Sequence, residues 1–229
     1  MDFHVAVWRR GRYCIKYMHN LPPQLLLEHF GVFVAAITGV LAARGKRVDL
    51  FGVLVLALVA AFGGGTTRDL LVGDVPVVWL RGQAFLVNAV AAALLTFFVD
   101  RVRRLPSGAL LVADAFTLAF FTMIGTQKGI YMDFSAPVAV LLGVVTGVAG
   151  GIFRDVLLGD VPMVFRPEIR LYATAALCGA AVCYALHALQ VGQTIEAVAG
   201  MLVVLTLRLA SIYWKISLPM FDDRKSDGV

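Results

Sequence analysis

The sequence predicts an all-α membrane protein: seven transmembrane helices, built as two inverted three-helix repeats plus a seventh helix, with helices 2 and 5 kinked at glycines. Three observations predict it. The 229 residues are 60% hydrophobic and only 15% charged, with a mean hydropathy of +0.84, whereas a soluble domain of this size carries far more charge on its surface. Apolar runs long enough to cross a hydrocarbon core, ~20 residues within a range of roughly 17–25, recur along the chain. A motif of glycines, an arginine and aspartates occurs twice at a fixed spacing.

The apolar runs are 25–43, 51–72, 83–99, 108–126, 136–158, 170–189 and 192–212. In lipid the backbone must satisfy its own hydrogen bonds, so each is expected to be a helix rather than an isolated strand. An odd number of spans puts the termini on opposite sides, here called the N-side and the C-side. C-side loops hold Arg44, Lys46 and Arg47, then Arg101, Arg103 and Arg104, then Arg166 and Arg170, and the tail adds Lys215, Arg224 and Lys225. N-side loops hold only Arg81 and Lys128, and the link at Gln190–Gln193 has no basic residue. The C-side is therefore expected to be cytoplasmic, with the N-terminus outside. The net charge of +5 is explained by these loops, not by nucleic-acid binding, because no basic patch is interleaved with aromatics.

Residues 1–24 read as an N-terminal tail without an apolar signal core. Met18 looks like a natural start, with 1–17 an extension. Repeat 1 covers 25–105, repeat 2 covers 106–190, and 191–229 hold the seventh helix and its tail.

The repeat is explicit. Gly64-Gly65-Thr66-Thr67-Arg68-Asp69-Leu70-Leu71-Val72-Gly73-Asp74-Val75-Pro76 returns as Gly150-Gly151-Ile152-Phe153-Arg154-Asp155-Val156-Leu157-Leu158-Gly159-Asp160-Val161-Pro162, an offset of 150 − 64 = 86 residues. Gly39 maps onto Gly125 at the same offset. Three spans per copy force the second copy to enter upside down.

Spans 2 and 5 are interrupted by Gly63, Gly64 and Gly65, and by Gly147, Gly150 and Gly151. Glycine weakens a helix and frees its backbone angles, so breaks or kinks are expected there. Such breaks line substrate or ion paths, and small residues also let helices pack closely. Both readings stand together.

Arg68-Asp69 and Arg154-Asp155 follow the glycines. Charges inside a membrane cost ~2.5–3.5 kcal/mol each on insertion scales and turn toward the bundle interior. Neighbours on a helix point ~100° apart, which argues for partners on other helices: Arg68 with Asp155 and Arg154 with Asp69, or else Asp114 on span 4 or Asn88 on span 3. Thr66 and Asp69 have the spacing of a capping box for the second half of span 2. With Thr67, they make the first copy more polar than the second, which has Ile152 and Phe153. The candidate pore and gate residues are therefore Thr66, Thr67, Arg68, Asp69, Asn88, Asp114, Arg154 and Asp155. Gly73 and Gly159 read as helix stops, with Asp74 and Asp160 in turns. Lys128 reads as a snorkelling side chain, Glu28 and His29 as interfacial, and Trp79, Tyr131, Tyr172, Tyr213 and Trp214 as an aromatic belt. Cys178 and Cys183 read as small residues in a helix interface. No histidine or cysteine spacing suggests a metal, and no nucleophile–base pair suggests an enzyme.

The duplicated motif and the division of spans into three, three and one resemble the bacterial membrane family whose repeat is called the glycine-transporter domain. The same architecture is similar to the prokaryotic trimeric intracellular cation channels. The resemblance covers about residues 25–212. It implies a homotrimer with one pore per protomer, running between the repeats past the kinked helices 2 and 5 and passing monovalent cations, mainly potassium, with no bound cofactor. By matching position, Gly64, Gly65, Gly150 and Gly151 would be hinges, and Arg68, Asp69, Arg154 and Asp155 the central polar group. The arginines must then be neutralised or serve as a gate, since bare positive charge repels cations. The alternative is a transporter of a small zwitterion such as glycine, with half-helix N-termini facing its carboxylate.

Overall fold

A computed structural model describes residues 22–106, 108–166 and 171–214. Met18, Arg170 and the tail lysines and arginine lie outside these residues. Long helices fall on every apolar run: α1 Pro22–Ala42, α2 Leu50–Val72, α3 Gln83–Val102, α4 Ala109–Tyr131, α5 Ala136–Leu157, α6 Tyr172–Ala188 and α7 Gln193–Trp214. Six are long and apolar enough to cross a membrane, and α6 is a shorter apolar helix of 17 residues. Large apolar side chains such as Phe51, Leu71, Val87, Leu141 and Leu202 face outward, as befits helices set in lipid.

Sequence chemistry sets the helix ends. Asp49 caps α2, its side chain accepting the Gly52 N–H at 2.8 Å and satisfying one orphan donor of the first turn. Gly73 ends α2 in the left-handed region at φ +70°, and Gly159 adopts the same angle just after α5, so both act as the helix stops expected of them. Helix α4 continues to Tyr131, past the expected end at 126, and carries Gln127 and Lys128 into the bundle.

The expected breaks in spans 2 and 5 are absent. Helices α2 and α5 run uninterrupted through Gly63–Gly65 and Gly150–Gly151. The glycines serve close packing instead. A Cβ on Gly64 would overlap the Thr146 carbonyl oxygen, and one on Gly150 would lie 2.5 Å from that of Ala60. Ala60 thus meets Gly150 while Gly64 meets Thr146, an antiparallel crossing. The two contacts exchange under the 86-residue offset. One apolar core gathers α1–α3 with Phe121 and Ile124 of α4, and another gathers α4–α7. The α2–α5 seam joins them.

Candidate functional site

Each motif arginine is held by its own neighbour. Arg68 Nε donates to Asp69 Oδ1 at 2.8 Å, and Asp69 Oδ2 accepts the Val78 N–H at 3.0 Å. Arg154 Nε donates to Asp155 Oδ1 at 2.8 Å, and Asp155 Oδ2 accepts the Met163 N–H at 2.8 Å. Adjacent residues thus pair, where partners on other helices were expected. The arginine arm is long enough to fold back along the helix. The chain after each glycine stop doubles over the helix end and fixes the carboxylate with a backbone N–H. The Arg68–Asp155 and Arg154–Asp69 pairs do not form.

Asp114, one of the partners considered, does reach Arg154, at 3.2 Å from its Nη1. Asn88 does not join either arginine. It donates to the His29 carbonyl at 2.6 Å and ties α3 to α1, while the His29 ring stacks on Phe85 at 4.3 Å. His29 is therefore part of the packing rather than a headgroup contact. Thr66 caps nothing, because α2 is continuous; its hydroxyl accepts the Trp79 indole N–H at 3.1 Å, and Thr67 donates back to Gly63 O at 2.8 Å. Among the described residues, no half-helix N-terminus faces a carboxylate site of the zwitterion-transporter kind.

The repeats differ around this shared core. In repeat 2, Arg154, Asp114 and Asp155 are sealed from solvent. Arg208 of α7 closes over them, its Nη2 3.8 Å from Asp114 Oδ2 and its guanidinium 4.6 Å from the Tyr172 ring centroid. Tyr172, expected in the aromatic belt, is buried here, whereas Tyr213 and Trp214 are exposed at the end of α7. In repeat 1, Arg68 and Asp69 border a small, partly open cleft that Glu28, Phe62, Gly65, Trp79, Phe85 and Phe121 help to line. Glu28 is therefore a wall of the site, not an interfacial residue.

The second aspartate of each motif clamps the two repeats together. Asp74 pairs with Arg81 and with Lys128 of α4, and Asp160 pairs with Lys46 of repeat 1 at 2.6 Å. Lys128 is buried in this ion pair, so it does not snorkel, and Asp74 is a buried anchor rather than a free turn residue. Arg44 ties the C-side end of α1 to Asp100 at 3.0 Å. Cys183 is buried, as expected, but Cys178 is exposed.

Burial pushes the Asp74 carboxyl up, but hydrogen bonds and charge from Arg81 and Lys128 outweigh it and hold it below the ordinary value of 3.8. A depressed carboxyl stabilises the fold above its ordinary value and loses that contribution as pH falls through its folded value. Asp74→Asn is expected to cost about 3 kcal/mol, because it leaves a buried ammonium without its counter-charge. The stability gap between wild type and Asp74→Asn is expected to stay constant from about pH 8 to about pH 5 and to close only below 3.8. Thermal melts across pH measure it, and a gap that closes near neutrality would overturn this account of the clamp.

The sequence profile of the family described as Glycine transporter matches residues 25–101 and again 111–188. The chain belongs to this family. The two matches begin 86 residues apart, the spacing of the motif. The chain is similar to the UPF0126 inner membrane protein YadS of Escherichia coli, 44% identical over 197 residues that cover 85% of this chain and 94% of that protein. A UPF0126 membrane protein of Vibrio cholerae is 41% identical, covering 86% and 82%. Among solved structures, the trimeric intracellular cation (TRIC) channel orthologue from Rhodobacter sphaeroides superposes with a TM-score of 0.78 at 34% identity, covering 84% of this chain and 98% of that one. A TRIC cation channel studied for its conductance gives 0.79 at 31% identity, covering 88% and 98%. These relatives are membrane channels and membrane proteins, not enzymes, and the resemblance read from the motif holds.

Arg208, Tyr172, Glu28, Asp74 and Lys128 belong to the site, although the candidate set read from sequence omits them. The repeat carries a signal for one of them: Glu28 maps onto Asp114 at the motif offset. Arg208 is a lone arginine on an apolar helix, and its burial alone is a strong signal of this kind.

Proposed function

We propose that the chain forms a homotrimeric, potassium-permeable cation channel of the prokaryotic cytoplasmic membrane, with one pathway per protomer along the α2–α5 seam between inverted repeats. The N-terminus lies outside and the C-terminus is cytoplasmic, in keeping with the excess of C-side arginines and lysines. The observation that carries the reading is charge pairing. Arg68 and Arg154 would repel cations if bare, but each faces a carboxylate at 2.8 Å. The seam is thereby neutralised, and the relatives named as cation channels share its fold. The reciprocal contacts of Gly64 with Thr146 and Gly150 with Ala60 support the inversion of one repeat relative to the other.

The seam is shut by those contacts. Conduction requires α2 and α5 to part, with Gly63, Gly64, Gly65, Gly150 and Gly151 as the points of bending. Thr66, Thr67 and the two arginine–aspartate pairs then line the path, and Asp114 holds Arg154 out of it. Potassium permeates, and no cofactor takes part.

Purified protein in a planar bilayer with a potassium gradient tests this. Discrete openings that reverse near the potassium equilibrium potential are expected. A silent bilayer, with glycine counterflow in liposomes from the same preparation, would overturn the channel and favour a zwitterion transporter.

A further inference from the structure

The basic residues of the C-side differ in what they face. Arg44 pairs with Asp100, and Lys46 and Arg166 share Asp160. Arg101, Arg103 and Arg104 are exposed, and none of them meets an acid among the described residues. Their acidic neighbour in sequence is already engaged. Asp100 accepts the Arg44 Nε–H at 3.0 Å and the Leu105 N–H at 2.9 Å, while Arg44 Nη1 donates to the Leu105 carbonyl at 2.9 Å. The Arg103 N–H closes on the Val99 carbonyl at 2.8 Å. The three guanidiniums are therefore carried on a turn braced against α1 and α3. Helix α3 leads an apolar track up to them. Val87, Ala91, Leu95, Phe98 and Val102 are exposed, and their spacing of 4, 4, 3 and 4 residues puts them on one helix face. The track ends at Val102, the last residue of α3 and 80% exposed, directly before Arg103 and Arg104.

We infer that the C-side end of α3 is a binding site for one anionic phospholipid, its phosphate held by Arg101, Arg103 and Arg104 and an acyl chain laid along Val102, Phe98 and Leu95. Charge decides the class of lipid. Three guanidiniums without counter-ions repel one another, and each offers the planar fork that binds phosphate oxygens in pairs. A zwitterionic lipid brings an ammonium group to the same place and gains less. The track decides the source. A free phosphate would meet the arginines and leave the apolar face bare, whereas a lipid covers both. Each arginine beside an anionic leaflet strengthens binding by about fivefold. The site has no twin in repeat 2: at the 86-residue offset His187, Leu189 and Gln190 stand in place of the three arginines. Lipid recognition is thus confined to the C-side leaflet and does not depend on conduction.

Native mass spectrometry of the full-length protein, titrated with phosphatidylglycerol or with phosphatidylcholine of the same acyl chains, tests this without any current measurement. One phosphatidylglycerol per chain is expected to bind about tenfold or more tighter than phosphatidylcholine. The triple variant Arg101→Gln, Arg103→Gln, Arg104→Gln should erase that preference. All three side chains are exposed, so the variant should melt as wild type does. Val102→Ser changes no charge and should still weaken phosphatidylglycerol by about threefold, through lost apolar contact. Inorganic phosphate at the same concentration should not displace the lipid. A wild type that binds both lipids alike would leave the arginines as orientation signals only and overturn the inference. So would a triple variant that keeps the preference, or full displacement by inorganic phosphate, which would make the site one for a free anion. Loss of oligomers from the Val102→Ser spectra would mean that a second copy covers the track, and the lipid site would fall.

Discussion

Arg154→Met is expected to destabilise the protein by about 3–5 kcal/mol, because it strands two buried carboxylates. Asp155 would lose its 2.8 Å donor and Asp114 its 3.2 Å one, at a site where Arg154 is wholly buried. Arg208 cannot take over, since at 3.8 Å from Asp114 it is outside hydrogen-bonding range. Lysine is not expected to rescue the site, because a point charge cannot reproduce a fork that serves two acids at once. The matching change in repeat 1, Arg68→Met, strands only Asp69, which is itself wholly buried. Its cost should be smaller by about 1–2 kcal/mol, on the scale of one fewer buried polar group left without its donor. Tryptophan-detected thermal melts in detergent measure both variants. Equal losses would mean that Asp114, the second carboxylate served by Arg154, adds nothing to the cost.

The spans were legible because lipid imposes one simple rule on composition, and seven runs of apolar residues became helices with ends displaced by a few residues. The duplication was legible because its motif keeps glycine, arginine, aspartate and proline at fixed spacing. Where reading from sequence went wrong, the cause was reach or context rather than pattern. The angle between neighbouring helical side chains argued against an Arg68–Asp69 pair, yet it says nothing of how far a guanidinium can turn back. Glycine clusters argued for broken helices, but a propensity difference of about 1 kcal/mol per glycine is overcome once the missing Cβ lets two helices meet at backbone distance. Lys128 looked like a snorkelling residue because its partner, Asp74, is distant in sequence and stands in the loop of the other repeat. Arg208 left only the mark of a lone arginine in an apolar run. It is the one element of the site that belongs to the unduplicated helix, so the repeat could not point to it.

Adjacent glycines offer the second large effect, and the sharper contrast. Gly64→Ala places a Cβ against the Thr146 carbonyl, and backbone cannot step aside as a flexible side chain can. Helices α2 and α5 must separate or tilt, and the cost is expected to be at least about 2 kcal/mol, within the range for overpacking a tight interior. Gly150→Ala meets the Ala60 carbonyl at 2.5 Å and should behave alike, since the two contacts are images of each other. A Cβ on Gly65, by contrast, would find only the Arg68 guanidinium, at 4.0 Å. Gly65→Ala should therefore be neutral or slightly stabilising, because alanine is the better helix former by up to about 1 kcal/mol. Melting temperatures of the three variants decide between two roles for these residues. Loss at Gly64 and Gly150 with none at Gly65 makes the glycines contact points of the seam. Comparable losses at all three would mean that backbone freedom, not closeness, is what the glycines supply. The same variants bear on conduction. If the pathway opens by parting α2 from α5, a Cβ wedged at Gly64 or Gly150 favours the parted state, and potassium openings should last longer in exactly the variants that melt earlier.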